Sequence, residues 1–507
     1  MKSLLNSIRT YFSHDPQQRG SYGPSPAGRL EVPEGAFRWG PLLIAEQDAV
    51  QHFAAIGATG SGKSTILRLL LQDMVPTIRP KSDRRMLIFD PKRDVIPMLK
   101  GMAPDADIII THPFDKRGKA WDISADCKEP RVAIELAFTL IPSYPESQPF
   151  FSDAARHLLA GVLISYMWRK LDFSFADVLR GLSSARLMRR VLLACPHTRQ
   201  LVGAYFYDKK LVASVLSTIS TRTLAYVPIG ACWETAAEKF SIAQWSESER
   251  ILILGTSEIS SQTMTAINSA IFKRASDVIL DQCDSRTRRS FFVIEEISDA
   301  GKLSLAPLAK RGRSKGASIA LTFQSVEGLK HQDSFGPQLT ADILGQVGYR
   351  FIGRLECPDT AAWVSKLVGD AEVRQITTSR TYAREDSVTQ NESIVIKPAL
   401  LPSEFMGLPP CSPENGLTAY YPCRNLPGVI FNNLPGRDLF ERDLIPLAEN
   451  VPGFLPRPPE AQYLRDWTPK EEAIFAPKPP FSKRGTETRQ KPPASDMRDF
   501  LDGMKDL

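Results

Sequence analysis

A glycine-rich run after four apolar residues has the residue types and spacing of a phosphate-binding loop. It consists of Gly57, Ala58, Thr59, Gly60, Ser61, Gly62, Lys63, Ser64 and Thr65. Glycines at these positions let backbone N–H groups point at phosphate oxygens, Lys63 reaches the β- and γ-phosphates, and the Ser64 hydroxyl ligates Mg²⁺. The run predicts a nucleoside triphosphate site with Mg²⁺. ATP is the expected nucleotide, because nothing in the sequence resembles a guanine-reading motif.

An acidic pair supplies the groups that hydrolysis needs beside bound phosphates. Residues 290–294 are typical of a buried strand, and the strand ends in Glu295 and Glu296. We expect Glu295 to join Ser64 at the metal and Glu296 to act as the general base. The usual first acid of such a Walker B strand is Asp. The longer Glu295 leaves open an outer-sphere metal contact or slower hydrolysis.

Gln324 is a further candidate because it ends the next apolar run, residues 317–323. Ligands bind at the carboxyl ends of buried parallel strands, where an amide can sense the γ-phosphate. A glutamine that only caps a turn is the alternative interpretation.

A basic segment lies between the acidic pair and Gln324. Residues 301–316 contain five basic residues and no acid. In ring ATPases, a guanidinium from the neighbouring subunit stabilises the charge that develops on the γ-phosphate. Arg313 is the first candidate for this role and Arg311 the second. A solvated cationic face or a DNA-backbone contact is the alternative.

The elements that must position these residues form an α/β pattern. Short apolar runs with polar ends occupy residues 85–90, 250–255, 317–324 and 348–353, and helical patterns separate them. This arrangement predicts a central, mainly parallel sheet covered on both faces. Between the two nucleotide motifs, residues 150–239 show helical spacing and no convincing strand. The sequence therefore predicts an inserted all-helical subdomain.

Composition narrows the classes of protein to which the chain can belong. The chain has 507 residues, 43% of them hydrophobic, and a net charge of +6, so any contact with nucleic acid must be local. Seven scattered cysteines without a C-x-x-C pair indicate a reducing cytosol and no zinc site. No apolar run approaches the roughly 20 residues of a membrane-spanning helix.

Taken in order, these motifs resemble the cytosolic ATPase region of the type IV secretion coupling proteins. These are conjugative DNA pumps of the septal-translocase branch of RecA-like ATPases. The similarity extends from about residue 54 to residue 410. It rests on the phosphate loop, residues 87–92, 112–115, 121–123 and 149–156, the acidic pair, residues 312–316, Gln324 and Ser325, and residues 359–363 and 401–410.

The resemblance implies a RecA-like nucleotide domain that assembles as a homohexamer and passes DNA through its central channel. It also places Arg313 at the family's arginine-finger position. The family usually has an N-terminal transmembrane hairpin, which we do not expect here. The expected location is therefore the cytoplasm, with a peripheral position at the inner membrane through a partner.

The predicted organisation has four parts. Residues 1–30 form an arm, in which Leu4, Leu5, Ile8, Tyr11 and Phe12 share a helical face that packs on its own domain or contacts a membrane or partner. Residues 31–150 and 240–425 form the RecA-like domain, and residues 151–239 the inserted all-α domain. Residues 426–507 form a Pro-rich linker and a tail with a short amphipathic helix carrying Met497, Phe500, Leu501 and Met504. That helix docks in a partner's groove or folds back onto its own ring.

The predicted function is that of a DNA-stimulated ATP hydrolase that pumps the transfer strand with its relaxase to a type IV secretion channel. The expected partners are single- or double-stranded DNA, a relaxase or relaxosome, and the channel or a separate membrane anchor. One alternative is a hexameric translocase for repair, segregation or defence. The other is a substrate receptor that switches with nucleotide and does not pump.

Overall fold

The computed structural model describes residues 32–142, 149–301, 303–331, 334–381, 387–424 and 428–478. Its strands are β1 (Ala36–Trp39), β2 (Leu42–Ala45), β3 (Phe53–Ile56), β4 (Arg84–Asp90), β5 (Ile108–Ile110), β6 (Ala120–Trp121), β7 (Lys239–Phe240), β8 (Ile251–Gly255), β9 (Arg289–Ile294), β10 (Ala317–Phe323), β11 (Tyr349–Ile352), β12 (Asp370–Thr381), β13 (Ser387–Pro398), β14 (Leu417–Pro422) and β15 (Val429–Leu434).

The α-helices alternate with these strands in the first and last parts of the chain. They are α1 (Lys63–Met74), α2 (Val95–Met102), α3 (Ile123–Asp126), α4 (Pro130–Leu140), α5 (Phe150–Trp168), α6 (Phe175–Leu182), α7 (Ala185–Leu193), α8 (Arg199–Tyr205), α9 (Lys209–Thr223), α10 (Val227–Glu234), α11 (Ile242–Trp245), α12 (Ser261–Asp281), α13 (Leu305–Arg311), α14 (Val326–Lys330), α15 (Gly336–Leu344), α16 (Pro358–Val368), α17 (Pro402–Met406), α18 (Gly436–Asp438) and α19 (Pro469–Phe475).

A nine-stranded sheet is the centre of the fold. Its strand order is β15-β14-β11-β3-β10-β9-β4-β8-β5. From β11 to β5 every neighbouring pair is parallel, whereas β14 and β15 are antiparallel to their neighbours. Because β3, β10, β9 and β4 are adjacent and parallel, the residues that follow these four strands meet at one edge of the sheet. The predicted α/β class is confirmed.

Side chains alternate between two cores, one on each face of the sheet. On β4, Leu87 and Phe89 belong to one buried cluster, and Met86 and Ile88 belong to the other. The first cluster is continuous with α12, α13 and the helices between β6 and β7, whereas the second contains α1, α2 and the β1–β2 hairpin. Burial on both faces explains why the strands are continuous apolar runs without alternation.

The inserted helices α5 to α10 lie between β6 and β7, which pair in parallel and close the base of the insertion. Helix α5 is its central element. The apolar positions at helical spacing on α5 are all buried, namely Ala154, Leu158, Leu159, Val162 and Leu163. At the start of α6, Ser174 and Asp177 form a capping box.

The end of the nucleotide domain differs from the prediction. The sequence predicts a linker from residue 426, whereas Val429–Leu434 forms β15 and pairs with β14 at the edge of the central sheet. The boundary at residue 425 is therefore too early. The proline content of the whole segment obscures a short strand that is stabilised by its pairing with β14.

After β15 the chain runs along the domain surface to the inserted helices. Trp467 Nε1 donates to Asp177 Oδ1 at 2.8 Å, and Arg169 Nη1 donates to the Phe475 carbonyl at 3.1 Å. The rings of Trp467 and Phe475 stack at 5.4 Å between centroids. Lys116 N donates to the Leu455 carbonyl at 2.7 Å, so the segment after β15 contacts both parts of the molecule. The predicted helices near both termini, on residues 4–12 and 497–504, lie outside the described residues.

Candidate nucleotide-binding site

The phosphate loop connects β3 to α1 at the carboxyl edge of the sheet. Gly62 is the N-cap of α1 with a φ of +93°, a conformation that favours glycine. A Cβ at Gly62 would lie 2.1 Å from Leu417 Cδ1 on β14. The loop therefore needs glycine here for both its backbone conformation and its close packing.

Lys63 closes the loop on itself. Its Nζ donates to the carbonyls of Gly57 at 2.7 Å and Ala58 at 3.0 Å. Burial lowers the pKa of Lys63, while the charges of Glu296 and Glu295 act in the opposite direction. In the same loop, the buried Ser61 Oγ has no hydrogen-bond partner among the described residues. A loop with a buried cation, an unpaired hydroxyl and a helix N-terminus fits a bound polyphosphate.

Ser64 and Glu295 meet as the sequence predicts. Ser64 Oγ donates to Glu295 Oε1 at 2.7 Å, although 231 residues separate them. Glu295 is 7% exposed at the end of β9. Hydroxyl and carboxylate oxygens are ligands that Mg²⁺ prefers, so this pair fits the metal of a bound nucleotide.

Glu296 and Gln324 also come together. Gln324 Nε2 lies 3.4 Å from Glu296 Oε2, and Ser298 Oγ donates to Glu296 Oε1 at 2.9 Å. The backbone N–H of Glu296 donates to Thr322 Oγ1 at 2.8 Å. Two side chains thus hold the half-exposed Glu296 carboxylate in place. Such a carboxylate can take a proton from water at the phosphate loop.

Lys92, which follows β4, is a site residue absent from the predicted set. Its Nζ donates to Ser64 Oγ at 3.0 Å and forms an ion pair with Glu295. Burial opposes the charged form of Lys92, but the hydrogen bond and charge of Glu295 outweigh it and raise the lysine pKa. The sequence signal is its position two residues after the end of a buried strand, close to the signal that identifies Gln324.

Asp90 shapes the turn that carries Lys92. Its Oδ1 accepts the backbone N–H groups of Lys92 at 3.2 Å and Arg93 at 2.8 Å. Burial, together with the charge of Asp94, raises the pKa of Asp90 to about 6. Asp90 therefore acts as a positioning residue for the turn.

Arg313 does not join these residues within the chain. It lies in the turn before β10, and its Nη2 donates to the Gln346 carbonyl at 2.8 Å. The carboxyl end of β10 is at the phosphate loop, where Gly57 N donates to Phe323 O at 3.2 Å. The seven residues of β10 place Arg313 about 20 Å away, at the opposite edge of the sheet.

Comparisons with known proteins agree with this geometry. A family described as "Type IV secretion-system coupling protein DNA-binding domain" matches residues 38–419. The coupling protein TraD of Escherichia coli (strain K12) is 22% identical over 429 residues, which are 82% of this chain and 58% of TraD. The chain thus spans little more than half the length of this curated relative.

Solved structures of the plasmid coupling protein TrwB have the same fold. The complex with the ATP analogue ADPNP is 20% identical, and the match covers 84% of this chain and 93% of the TrwB chain in that structure, with a TM-score of 0.63. The complex with ADP and Mg²⁺ is 19% identical, covers 83% and 92%, and has a TM-score of 0.60. Within the described ranges of the present chain, no helix has the length and apolar character needed to span a bilayer. With a family match over residues 38–419 and this common fold, the chain belongs to the type IV secretion-system coupling proteins.

Proposed function

We propose that the chain binds ATP with Mg²⁺ and hydrolyses it to move DNA as the coupling protein of a conjugative type IV secretion system. The observation that carries this proposal is the pairing of Glu296 with Gln324 beside the Ser64–Glu295 contact. A binding switch needs the phosphate loop alone, whereas a motor also needs a carboxylate placed to activate water. TrwB, which shares the fold, forms complexes with ADPNP and with ADP and Mg²⁺.

The site residues have distinct roles in the proposed reaction. The loop N–H groups and Lys63 would hold the phosphates, and Ser64 and Glu295 would hold the metal. Bound Mg²⁺ neutralises charge on the phosphate oxygens. Glu296 accepts the proton of the attacking water, while Gln324 orients that water or senses the γ-phosphate.

The proposed assembly is a homohexamer in which Arg313 completes the site of the neighbouring subunit. Its position at the opposite edge of the sheet supports this role, because Arg313 cannot reach the phosphate loop of its own chain. The proposed cargo is DNA with a bound relaxase. The proposed place is the cytoplasm, at the inner membrane through the secretion channel or a separate anchor protein.

The decisive experiment measures release of a protein block bound to DNA by the purified full chain, ATP and Mg²⁺. We expect ATP-dependent release, and we expect Glu296→Gln to abolish it. Turnover by this variant falls by about 10²–10⁴-fold, while nucleotide still binds. Glu327→Gln is the matched control, because Glu327 is exposed on α14 and pairs with Lys330. Nucleotide binding without release by the unaltered chain would instead support a receptor that only switches conformation.

A further inference from the structure

Lys92 occupies the corner of the site that the proposed function assigns to Mg²⁺. Its ammonium group contacts both Ser64 Oγ, at 3.0 Å, and Glu295 Oε1. Those two oxygens are also hydrogen-bonded to each other at 2.7 Å. The three groups form a closed cluster in which a lysine cation neutralises the carboxylate.

A lysine ammonium and Mg²⁺ cannot share these oxygens. Two cations that contact the same carboxylate oxygen lie within a few ångströms of each other, and their repulsion is strong at a partly buried site. Either cation can satisfy Glu295, so the arrival of one requires the departure of the other.

The turn around Lys92 allows its side chain to leave without a backbone change. Arg93 Nη2 donates to the Thr256 carbonyl at 3.0 Å, and its guanidinium lies 4.5 Å from the centre of the Phe454 ring. Asp90 holds the same turn through two backbone N–H groups. The Lys92 side chain itself is 50% exposed, so it can move into solvent.

We propose that Lys92 is an internal cation that competes with Mg²⁺ for Ser64 and Glu295. It neutralises Glu295 when metal-free nucleotide is bound, and Mg²⁺ displaces it. This inference rests on the proposed function, because it assumes that the loop binds nucleotide. Lys92 would thereby reduce the difference in affinity between metal-free and metal-bound nucleotide.

The test is calorimetric titration of ADP in EDTA and at a series of Mg²⁺ concentrations. We expect Lys92→Met to weaken metal-free ADP binding by about tenfold, since Glu295 is then left unneutralised near the phosphates. We expect Mg²⁺ to increase the affinity for ADP. We also expect Lys92→Met to lower, by about tenfold, the Mg²⁺ concentration at which half of this increase is reached. Lys273→Met is the control, because Lys273 pairs with Asp277 on the distant part of α12.

A double variant distinguishes competition with Mg²⁺ from a general loss of structure. With Glu295→Gln already present, Lys92→Met should change metal-free ADP affinity by less than about twofold, because the carboxylate that Lys92 contacts has already been removed. Lys92→Gln replaces Lys92→Met if the methionine variant does not fold. If a folded Lys92 variant keeps the Mg²⁺ dependence of the unaltered chain, the inference about Lys92 is wrong and the proposed function is unaffected. Failure of the unaltered chain to bind ADP with Mg²⁺ would overturn the proposed function as well.

Discussion

At the scale of single residues, Glu296 shows how the fold constrains its candidate base. Its φ of +48° lies in the left-handed region, which costs a residue with a side chain about 1–3 kcal/mol. The preceding strand is fully buried, and Thr322 Oγ1 accepts the Glu296 N–H, so the surroundings impose this conformation. The turn directs the carboxylate of Glu296 away from Glu295 and toward Gln324. The two neighbouring carboxylates thereby have different partners, Ser64 for Glu295 and Gln324 for Glu296.

His52 gives a prediction for pH dependence. Its Nε2–H donates to the Ala309 carbonyl at 3.1 Å and its Nδ1 accepts the Ile319 N–H at 3.2 Å, an arrangement that only a neutral ring satisfies. Burial lowers the pKa of His52 from 6.5 to about 4. Between these values the unfolded chain binds more protons, so stability falls as the pH falls. The loss is about 1.4 kcal/mol per pH unit and about 3 kcal/mol in total.

Urea unfolding at pH 7, 6 and 5 measures this slope. We expect His52→Gln to remove about 1.4 kcal/mol per unit from it, whereas His197→Gln, at an exposed position, should leave it unchanged. Burial also lowers the pKa of His112 to about 4, so part of the slope persists. Asp90 acts in the opposite direction. Because its pKa is raised to about 6 in the folded chain, the folded chain binds more protons at Asp90 than the unfolded chain, and this contribution increases stability as the pH falls. An equal slope in His52→Gln and the unaltered chain would contradict the assignment.

At the scale of elements, the phosphate loop depends on a strand far from it in sequence. Gly62 packs against Leu417 of β14, and Cys411 N donates to the Gly60 carbonyl at 2.8 Å. The segment before β14 therefore forms one wall of the loop. Residues 411–417 therefore help to hold the phosphate loop in shape.

Two glycines in the loop allow a matched comparison. Gly60 and Gly62 both have positive φ, but a Cβ at Gly60 has no neighbour within 4 Å, whereas one at Gly62 meets Leu417. We expect Gly60→Ala to cost about 1 kcal/mol of unfolding free energy, from the backbone alone. Gly62→Ala should cost about 3 kcal/mol, because overpacking adds to the backbone cost. Urea denaturation of both variants measures the difference, and equal losses would rule out the packing contribution.

At the scale of the whole molecule, the two edges of the sheet separate the candidate reactive groups. The phosphate loop, Glu295, Glu296 and Gln324 follow the carboxyl ends of adjacent strands, whereas Arg313 precedes β10 at the other edge. Under the proposed role of Arg313, one chain carries the two halves of a shared site at opposite edges of its sheet. A head-to-tail ring is the assembly in which these halves meet.

Subunit mixing tests that arrangement. We expect Arg313→Ala and Lys63→Ala each to be inactive alone, since one lacks the donated arginine and the other the phosphate contact. In an equal mixture, about one quarter of the interfaces combine an intact loop with an intact arginine, so about one quarter of the unaltered ATPase activity should return. Arg311→Ala changes the second candidate for this role, at an exposed neighbouring position, and we expect it to remain active alone if Arg313 is the donated arginine. No recovery in stable mixed rings would exclude Arg313 from the trans role.

Much of the fold could be predicted because the sequence patterns that indicate its strands and helices are local. A buried parallel strand is a short apolar run, and the helices of the insertion keep their periodicity over many turns. The strands beginning near residues 85, 250, 290, 317 and 349 all lie in the central sheet. The short strand β15 escaped prediction because its stability comes from pairing with β14, a contact that leaves no periodic pattern within the proline-rich segment.

The sequence by itself identified the phosphate loop, the acidic pair and Gln324 as candidates. Each of them follows a single apolar strand, so residues adjacent in the chain are enough to recognise it. Only the tertiary structure decided that Lys92 reaches Glu295 across 203 residues, and that Arg313 lies at the far edge. The physical reason is strand order. Placing β4 beside β9 and β10 beside β3 brings separate strand ends together, and the spacing of motifs along the chain does not specify that order.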